Sequence, residues 1–245
     1  MNLVLDTGNT LSKLYIFNKD RIVASQSFES IELNLLDKIF KEYPIQASIY
    51  SHVGNANSEV QAYLKAHSKY IAFNHQTSVP VKNNYQTPET LGLDRLAAVC
   101  GAARIFPNTN VLCIDMGTCV TYDFISADGT YMGGAISPGL TMRYKAMHTF
   151  TAQLPLVETS KLQKQKLIGT STNESMQSGA FNGYIFEILG FVEAYQRNYE
   201  NLQCLICGGD AALLDTQLKN SIFVRADLVA EGLNTILNYN VQKEI

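Results

Sequence analysis

The apolar and polar positions along the chain repeat one arrangement. Leu3-Val4-Leu5 is an apolar run that stops at Asp6, a polar break holds Gly8, Asn9 and Thr10, and a second apolar run covers Leu14 to Phe17. Residues 111–125, VLCIDMGTCVTYDFI, do it again: a run ending at Asp115, a break with Gly117 and Thr118, and another run. Short apolar runs bounded by turn residues predict strands, and each break predicts a tight hairpin turn.

The rest of the pattern fills in around the two hairpins. Partial alternation over 21–28 predicts a third strand. Ile31, Leu35, Leu36, Ile39 and Phe40 stand at helical spacing and predict a helix over 29–43, closed by Pro44. A strand over 47–53, a helix over 57–67 and a short strand over 70–73 follow, then a polar loop over 74–90 with Pro80 and Pro88. Past the second hairpin, residues 131–136 predict a strand running into Ser137-Pro138-Gly139, and residues 203–207 another. Helices are predicted over 92–106, 140–148, 173–198 and 226–239, with a further helix start after Gly208-Gly209-Asp210 and a short strand around Val224. Each half therefore opens with the same hairpin and then mixes strands with helices. The reading is an α/β chain built by internal duplication, with domains 1–110 and 111–245 and a hinge near Pro107 to Asn110.

Composition narrows the class. With 245 residues, 46% of them hydrophobic, two domains of this size can each bury a core. The net charge is −3, from 19 basic and 22 acidic residues, and basic residues are not clustered, so no nucleic-acid partner is expected. No apolar stretch is long enough to span a membrane, and the N-terminus shows no signal-peptide pattern, so a cytoplasmic location is expected. The five cysteines suggest no disulfide framework. Cys204 and Cys207 form a C-x-x-C, but in a strand they point to opposite faces and have no second pair to complete a zinc site.

The repeated turn carries the chemistry. A glycine at such a turn lets backbone N–H groups close on an anion, and successive N–H groups form a nest for it. Thr10 and Thr118 add hydroxyls, and Lys13 adds a point charge on the next strand. Asp6 and Asp115 end their strands at the same mouth. A carboxylate facing a polyphosphate makes sense when a cation lies between them. Two such turns suit one nucleoside triphosphate held in a cleft between two domains.

The motifs, in their order, make the match specific. D-x-G-N-T-x-x-K is present as Asp6, Gly8, Asn9, Thr10 and Lys13. Tyr85 precedes Gly92-Leu93-Asp94-Arg95, and D-x-G-T is Asp115 to Thr118. GGAISPG stands at 133–139, T-A-x-L-P at 151–155, Thr172 ahead of MQSG, and Gly-Gly-Asp at 208–210. Over nearly the whole chain this resembles the type III pantothenate kinases, within the actin-like, sugar-kinase and Hsp70 superfamily.

The resemblance implies two actin-like (ribonuclease H-like) domains with mixed sheets flanked by helices, and an active site in the interdomain cleft. It implies ATP-dependent phosphorylation of pantothenate to 4'-phosphopantothenate, the first step of coenzyme A biosynthesis. Asp94 would be the general base; its residue type and place alone fit a helix cap or a partner of Arg95, and favour the cap. Tyr85, Gly92, Leu93, Asp94, Arg95 and Thr172 would bind the acceptor. Asp6, Thr7, Gly8, Asn9, Thr10, Leu11, Ser12, Lys13 and Thr118 would bind ATP. Asp6 would sit nearest Mg²⁺, and Asp115 would hold a monovalent cation, K⁺ or NH₄⁺. Gly208 and Gly209 would let the backbone pack near the adenine.

A homodimer is implied, and the apolar load of the helix over 173–198, with Met176, Phe181, Tyr184, Ile185, Ile188 and Phe191, fits either core or dimer interface. His52, in IYSHVGNAN, departs from the plainer apolar stretch of the family and reads as a surface or packing histidine. The rival readings are a sugar or acetate kinase of the same superfamily, which the Tyr85 and GLDR segment argues against, and a non-catalytic ATP-binding regulator.

Overall fold

The computed structural model describes residues 1–245 except 9–10, 53, 55–56, 159–164, 215–221 and 244–245. The chain divides into two compact units, residues 1–107 with 227–245, and residues 108–226. The boundary between the units falls between Pro107 and Asn108. The expected second domain, 111–245, is corrected at its C-terminal end: residues 227–245 belong to the first unit. The terminal helix α6 (Leu228–Lys243) has Leu228, Leu233, Ile236 and Leu237 fully buried, and packs on a helix and on strands of that unit. An amphipathic helix goes where its apolar face is covered, whichever half of the chain it follows.

In the first unit β1 (Asn2–Thr7), β2 (Ser12–Asn18) and β3 (Arg21–Phe28) form an antiparallel meander. After α1 (Leu33–Glu42), β4 (Ala47–His52) pairs parallel with β1. After α2 (Ser58–His67), β5 (Lys69–Ala72) pairs parallel with β4, giving the order β3-β2-β1-β4-β5. Leu3, Val4 and Leu5 are all fully buried, as residues on opposite faces of a strand covered on both sides must be. Leu3, Leu5, Leu14 and Ile16 pack with Leu36, Ile39, Val60 and Leu64 of α1 and α2. The N-cap of α2 is Asn57, whose side chain accepts from the N–H groups of Glu59 and Val60.

The polar stretch 74–90 contains a two-residue strand, β6 (Lys82–Asn83), and a 3₁₀ turn at Pro88–Thr90. Helix α3 (Leu93–Ile105) then packs on α6, and every residue from Arg95 to Ala102 is buried. At α6, Asn2 Nδ2 donates to Oδ1 of Asn234 and Asn238 (2.8 and 2.7 Å), and Asn234 Nδ2 donates to the Lys19 carbonyl (2.8 Å). These bonds tie the terminal helix to the first hairpin.

The second unit repeats the strand plan. β7 (Val111–Met116), β8 (Cys119–Ile125) and β9 (Thr130–Pro138) make the meander, and β10 (Gln203–Cys207) and β11 (Ile222–Val224) add in parallel, in the order β11-β10-β7-β8-β9. The duplication is thus one of topology as well as of turns. Between β9 and β10 lie α4 (Leu140–Phe150) and α5 (Thr172–Asn198).

Met176, Phe181, Tyr184, Ile185 and Ile188 of α5 are buried in this unit's own core, and Phe191 stacks on Tyr122 with ring centroids 4.0 Å apart. The apolar load of α5 is therefore mostly core. After Gly208-Gly209-Asp210 the expected helix start is a single 3₁₀ turn, Ala211–Leu213. Cys204 and Cys207 are buried and unbridged, and among the described residues no cluster of His, Cys, Asp or Glu is arranged to hold a metal by itself. Among the described residues no helix is long and apolar enough to cross a membrane.

Candidate active site

In the first unit the site starts at the C-terminal end of β1. Asp6 is opposite Lys13 across the antiparallel pair and opposite Ser51 across the parallel pair with β4. The turn is tight: the Gly8 N–H donates to the Leu11 carbonyl (3.1 Å), and the hydroxyls of Thr7 and Ser12 lie 3.1 Å apart. Ser12 is buried, while Leu11 and Lys13 are exposed. Asn9 and Thr10 lie outside the described residues.

Burial raises the Asp6 carboxyl, and the negative charge of Asp94 raises it further. Lys13 and a hydrogen bond with Ser51 pull the other way, and the balance is a pKa of about 6. The structure thereby brings Asp6 and Asp94, far apart in sequence, into one electrostatic neighbourhood. Ser51 is the residue that sequence reading missed here. It lies beside His52 in the segment already noted, but only the β1–β4 register turns it toward Asp6. His52 itself has Nδ1 2.9 Å from the Gly54 carbonyl and its ring against Tyr50, as a packing histidine should.

Asp94 is exposed in the first turn of α3, whose N-cap is Gly92. It is not the cap. Its Oδ1 accepts from the N–H of Arg95 (2.8 Å). Arg95 is buried, with its guanidinium 5.7 Å from the centre of the Tyr85 ring, a cation–π contact that joins the loop to the helix start. The Tyr85 N–H donates to Asn83 Oδ1 (3.0 Å). Tyr85, Gly92, Leu93, Asp94 and Arg95 thus form one local cluster at the loop-to-helix junction.

In the second unit Asp115 is the last residue but one of β7, with Thr118 exposed in the turn behind it. The Gly117 N–H donates to the Cys119 carbonyl (3.0 Å). Gly208 presses against this end of the strand: a Cβ there would lie 2.5 Å from Asp115 Oδ1 and from the Met116 carbonyl, and its φ of +90° suits glycine alone. The Asp210 N–H donates to the Met116 carbonyl (3.0 Å). The Gly-Gly-Asp segment therefore buttresses the second turn. Tyr184 is fully buried and its hydroxyl has no hydrogen-bond partner among the described residues. Burial pushes it above the usual phenol range, and the charges of Asp210 and Asp115 add to this. Thr172 is the exposed first residue of α5. Ser171 caps the helix by accepting from the Glu174 N–H (3.2 Å), and the Glu174 carboxylate takes both the N–H and the hydroxyl of Thr170 (2.8 and 2.7 Å).

Two meanders of the same order, each with an aspartate next to the end of its first strand and a glycine turn after it, define a phosphotransferase or ATPase of the actin-like and sugar-kinase class. Solved structures agree on the fold. A protein described as a Baf family transcriptional activator from Campylobacter jejuni has a TM-score of 0.62 at 20% identity, over 98% of this chain and 99% of its own. The activator of the 2-hydroxyisocaproyl-CoA dehydratase from Clostridium difficile, with bound ADPNP, has a TM-score of 0.50 at 14% identity, over 100% and 97%. A type III pantothenate kinase from Christiangramia forsetii is 43% identical over 242 residues, covering 98% of this chain and 99% of the relative. The family model for type III pantothenate kinase matches residues 2–194. The chain belongs to the type III pantothenate kinase family, and the family resemblance read from the motifs is borne out.

Proposed function

We propose that the chain transfers the γ-phosphoryl group of ATP to the terminal hydroxyl of pantothenate. Membership of the type III pantothenate kinase family carries this reading, and it does not favour a sugar or acetate kinase or a non-catalytic regulator. Phosphoryl transfer needs positioning, charge neutralisation and a group to take the hydroxyl proton. Asp94 is that group. It is exposed in the first turn of α3, where an incoming hydroxyl can reach it. Tyr85, Gly92, Leu93, Arg95 and Thr172 bind the acceptor, with Arg95 held against Tyr85 for the acid group of pantothenate. The turn from Thr7 to Lys13, with Thr118, binds the phosphates of ATP.

The crowding of Asp6 by Asp94 fits a divalent cation, and Mg²⁺ takes only one or two protein carboxylates alongside phosphate oxygens and water. Asp6 would hold it, and its charge would offset that of the polyphosphate. The unpartnered Tyr184 hydroxyl, in the field of Asp115 and Asp210, is an oxygen-rich setting that fits a monovalent cation, K⁺ or NH₄⁺, at Asp115. A cytoplasmic location suits five cysteines that form no disulfide framework.

A coupled ADP-release assay tests the activity. With Mg²⁺ and K⁺ present, release is expected with pantothenate and not with sugars or acetate. Turnover of a sugar with none of pantothenate sinks the assignment. In tetramethylammonium buffer the rate should rise on titration with KCl; an unchanged rate removes the cation from Asp115.

We also infer a homodimer, supported by the exposed Phe150, Leu167, Ile168 and Phe186 of the second unit. Light scattering should give twice the monomer mass of 27.1 kDa. The monomer mass at micromolar concentration would remove the dimer.

A further inference from the structure

The second turn is held in place by a charged group that lies outside the motifs already assigned. Arg143 sits one turn into α4. Its Nε donates to the Pro138 carbonyl (2.9 Å), and its Nη2 donates to Ser137 Oγ (3.2 Å) and to Glu187 Oε2 (2.5 Å). Glu187, on α5, accepts the Tyr122 hydroxyl of β8 on its other oxygen (2.9 Å). The guanidinium lies 5.3 Å from the centre of the Tyr184 ring. One forked cation therefore joins the end of β9, helix α4 and helix α5, and through Glu187 it reaches β8. Burial works against the ionised Glu187, yet the bonds from Arg143, Ser137 and Tyr122 hold its pKa below the usual carboxylate value. Both side chains are mostly buried, at 20% and 24% exposed. Sheltering such a pair costs desolvation, which is offset here by the further hydrogen bonds that both side chains make.

What it fixes is the Ser137-Pro138-Gly139 segment, and this segment touches the turn. The Gly139 N–H donates to the Thr118 carbonyl (3.1 Å). A Cβ on Gly139 would lie 2.3 Å from the Gly117 carbonyl oxygen and 2.5 Å from that of Thr118, so backbone meets backbone with no side chain to absorb a shift. A movement of Pro138 by a fraction of an ångström is passed directly to Gly117 and Thr118.

We propose that Arg143 and Glu187 are positioning residues for nucleotide binding, acting through Ser137-Pro138-Gly139 on the turn at Asp115 to Thr118. The proposal rests on the reading that this turn takes phosphates of ATP. Arg143→Lys keeps the charge and loses the fork. Glu187→Gln keeps the shape and loses the charge.

The experiment measures kcat, the KM for each substrate, Mg·ATP affinity by calorimetry, and Tm, for both variants and for Thr118→Val. Arg143→Lys should raise the KM and Kd for ATP by about 10-fold, the scale of a sub-ångström misplacement, and leave the KM for pantothenate within about twofold. Glu187→Gln should move the same constants in the same direction by less. The double variant should be no worse than Arg143→Lys alone, because the two act as one device. If Arg143→Lys does not fold, Glu187→Gln decides alone. A fall in Tm with both KM values and the ATP Kd unchanged makes the pair purely structural and overturns the proposal. If Thr118→Val weakens ATP binding and the Arg143 and Glu187 variants do not, the brace fails while the turn stands. If Thr118→Val has no effect on ATP, the reading of the turn fails first.

Discussion

Replacing Asp94 by Asn leaves the fold intact and lowers kcat by about 10²- to 10⁴-fold, the usual cost of removing a general base. The KM for ATP should change little, because the substitution keeps the size of the side chain and its acceptor oxygen for the Arg95 N–H. Asp94 is exposed and is not the cap of α3, so the helix does not depend on its charge for closure. A second readout is specific to this structure. The charge of Asp94 is part of what raises Asp6. Asp94→Asn should therefore move the Asp6 titration toward more acid pH, visible by carboxyl-resolved NMR. Near-full turnover in Asp94→Asn would return Asp94 to the role of a first-turn acid that favours the helix dipole and nothing more.

Asp6→Asn should abolish most turnover and, without ligands, make the protein more stable at neutral pH. The sign follows from the direction of the shift. The carboxyl is raised from 3.8 to about 6, first by burial and then by Asp94. Its contribution to folding is fully present below the unfolded value of 3.8 and is lost as pH rises through about 6. Above that, the ionised Asp6 costs up to about 3 kcal/mol, from a shift of roughly two units at 1.36 kcal/mol each. Asp6→Asn removes the cost, so its Tm at pH 8 should exceed that of the wild type, and the gap should close toward pH 4.

Mg²⁺ with ATP should raise the wild-type Tm and leave that of the variant nearly unmoved, since a ligand stabilises only what binds it. The kinetic loss should be at least about 10²-fold, above the 10- to 100-fold typical of groups that only support a metal ligand. Because Mg²⁺ and the proton compete for Asp6, wild-type activity should fall as pH drops below about 6, and raising Mg²⁺ should move that fall to lower pH. Equal melting of the two proteins at pH 8 would show that Asp6 carries no such burden, and a Tm shift by Mg·ATP in Asp6→Asn would take the cation away from it.

The sequence by itself determined whatever depends on neighbours along the chain. Apolar runs ending in Asp6 and Asp115 specify strand ends, and Gly8 and Gly117 specify tight turns. The Tyr85-to-Arg95 segment specifies a polar loop entering a helix. These are short-range preferences, and their recurrence revealed the duplication before any strand was paired.

Tertiary structure decided what depends on distant partners. The apolar face of α6 does not say which strands will cover it, so residues 227–245 were read with the half they follow and instead joined the unit of β1 and β4. The same holds for the apolar residues of α5, which could have met a second chain and instead fill their own unit's core. Parallel register set Ser51 beside Asp6, and packing brought Asp94 near it; neither is encoded in spacing. The pairing of Arg143 with Glu187, and the contact of Gly139 with Thr118, likewise arise where elements meet. A local pattern constrains the conformation of a few residues, whereas a charge's partner and pKa are set by the groups that the fold packs around it.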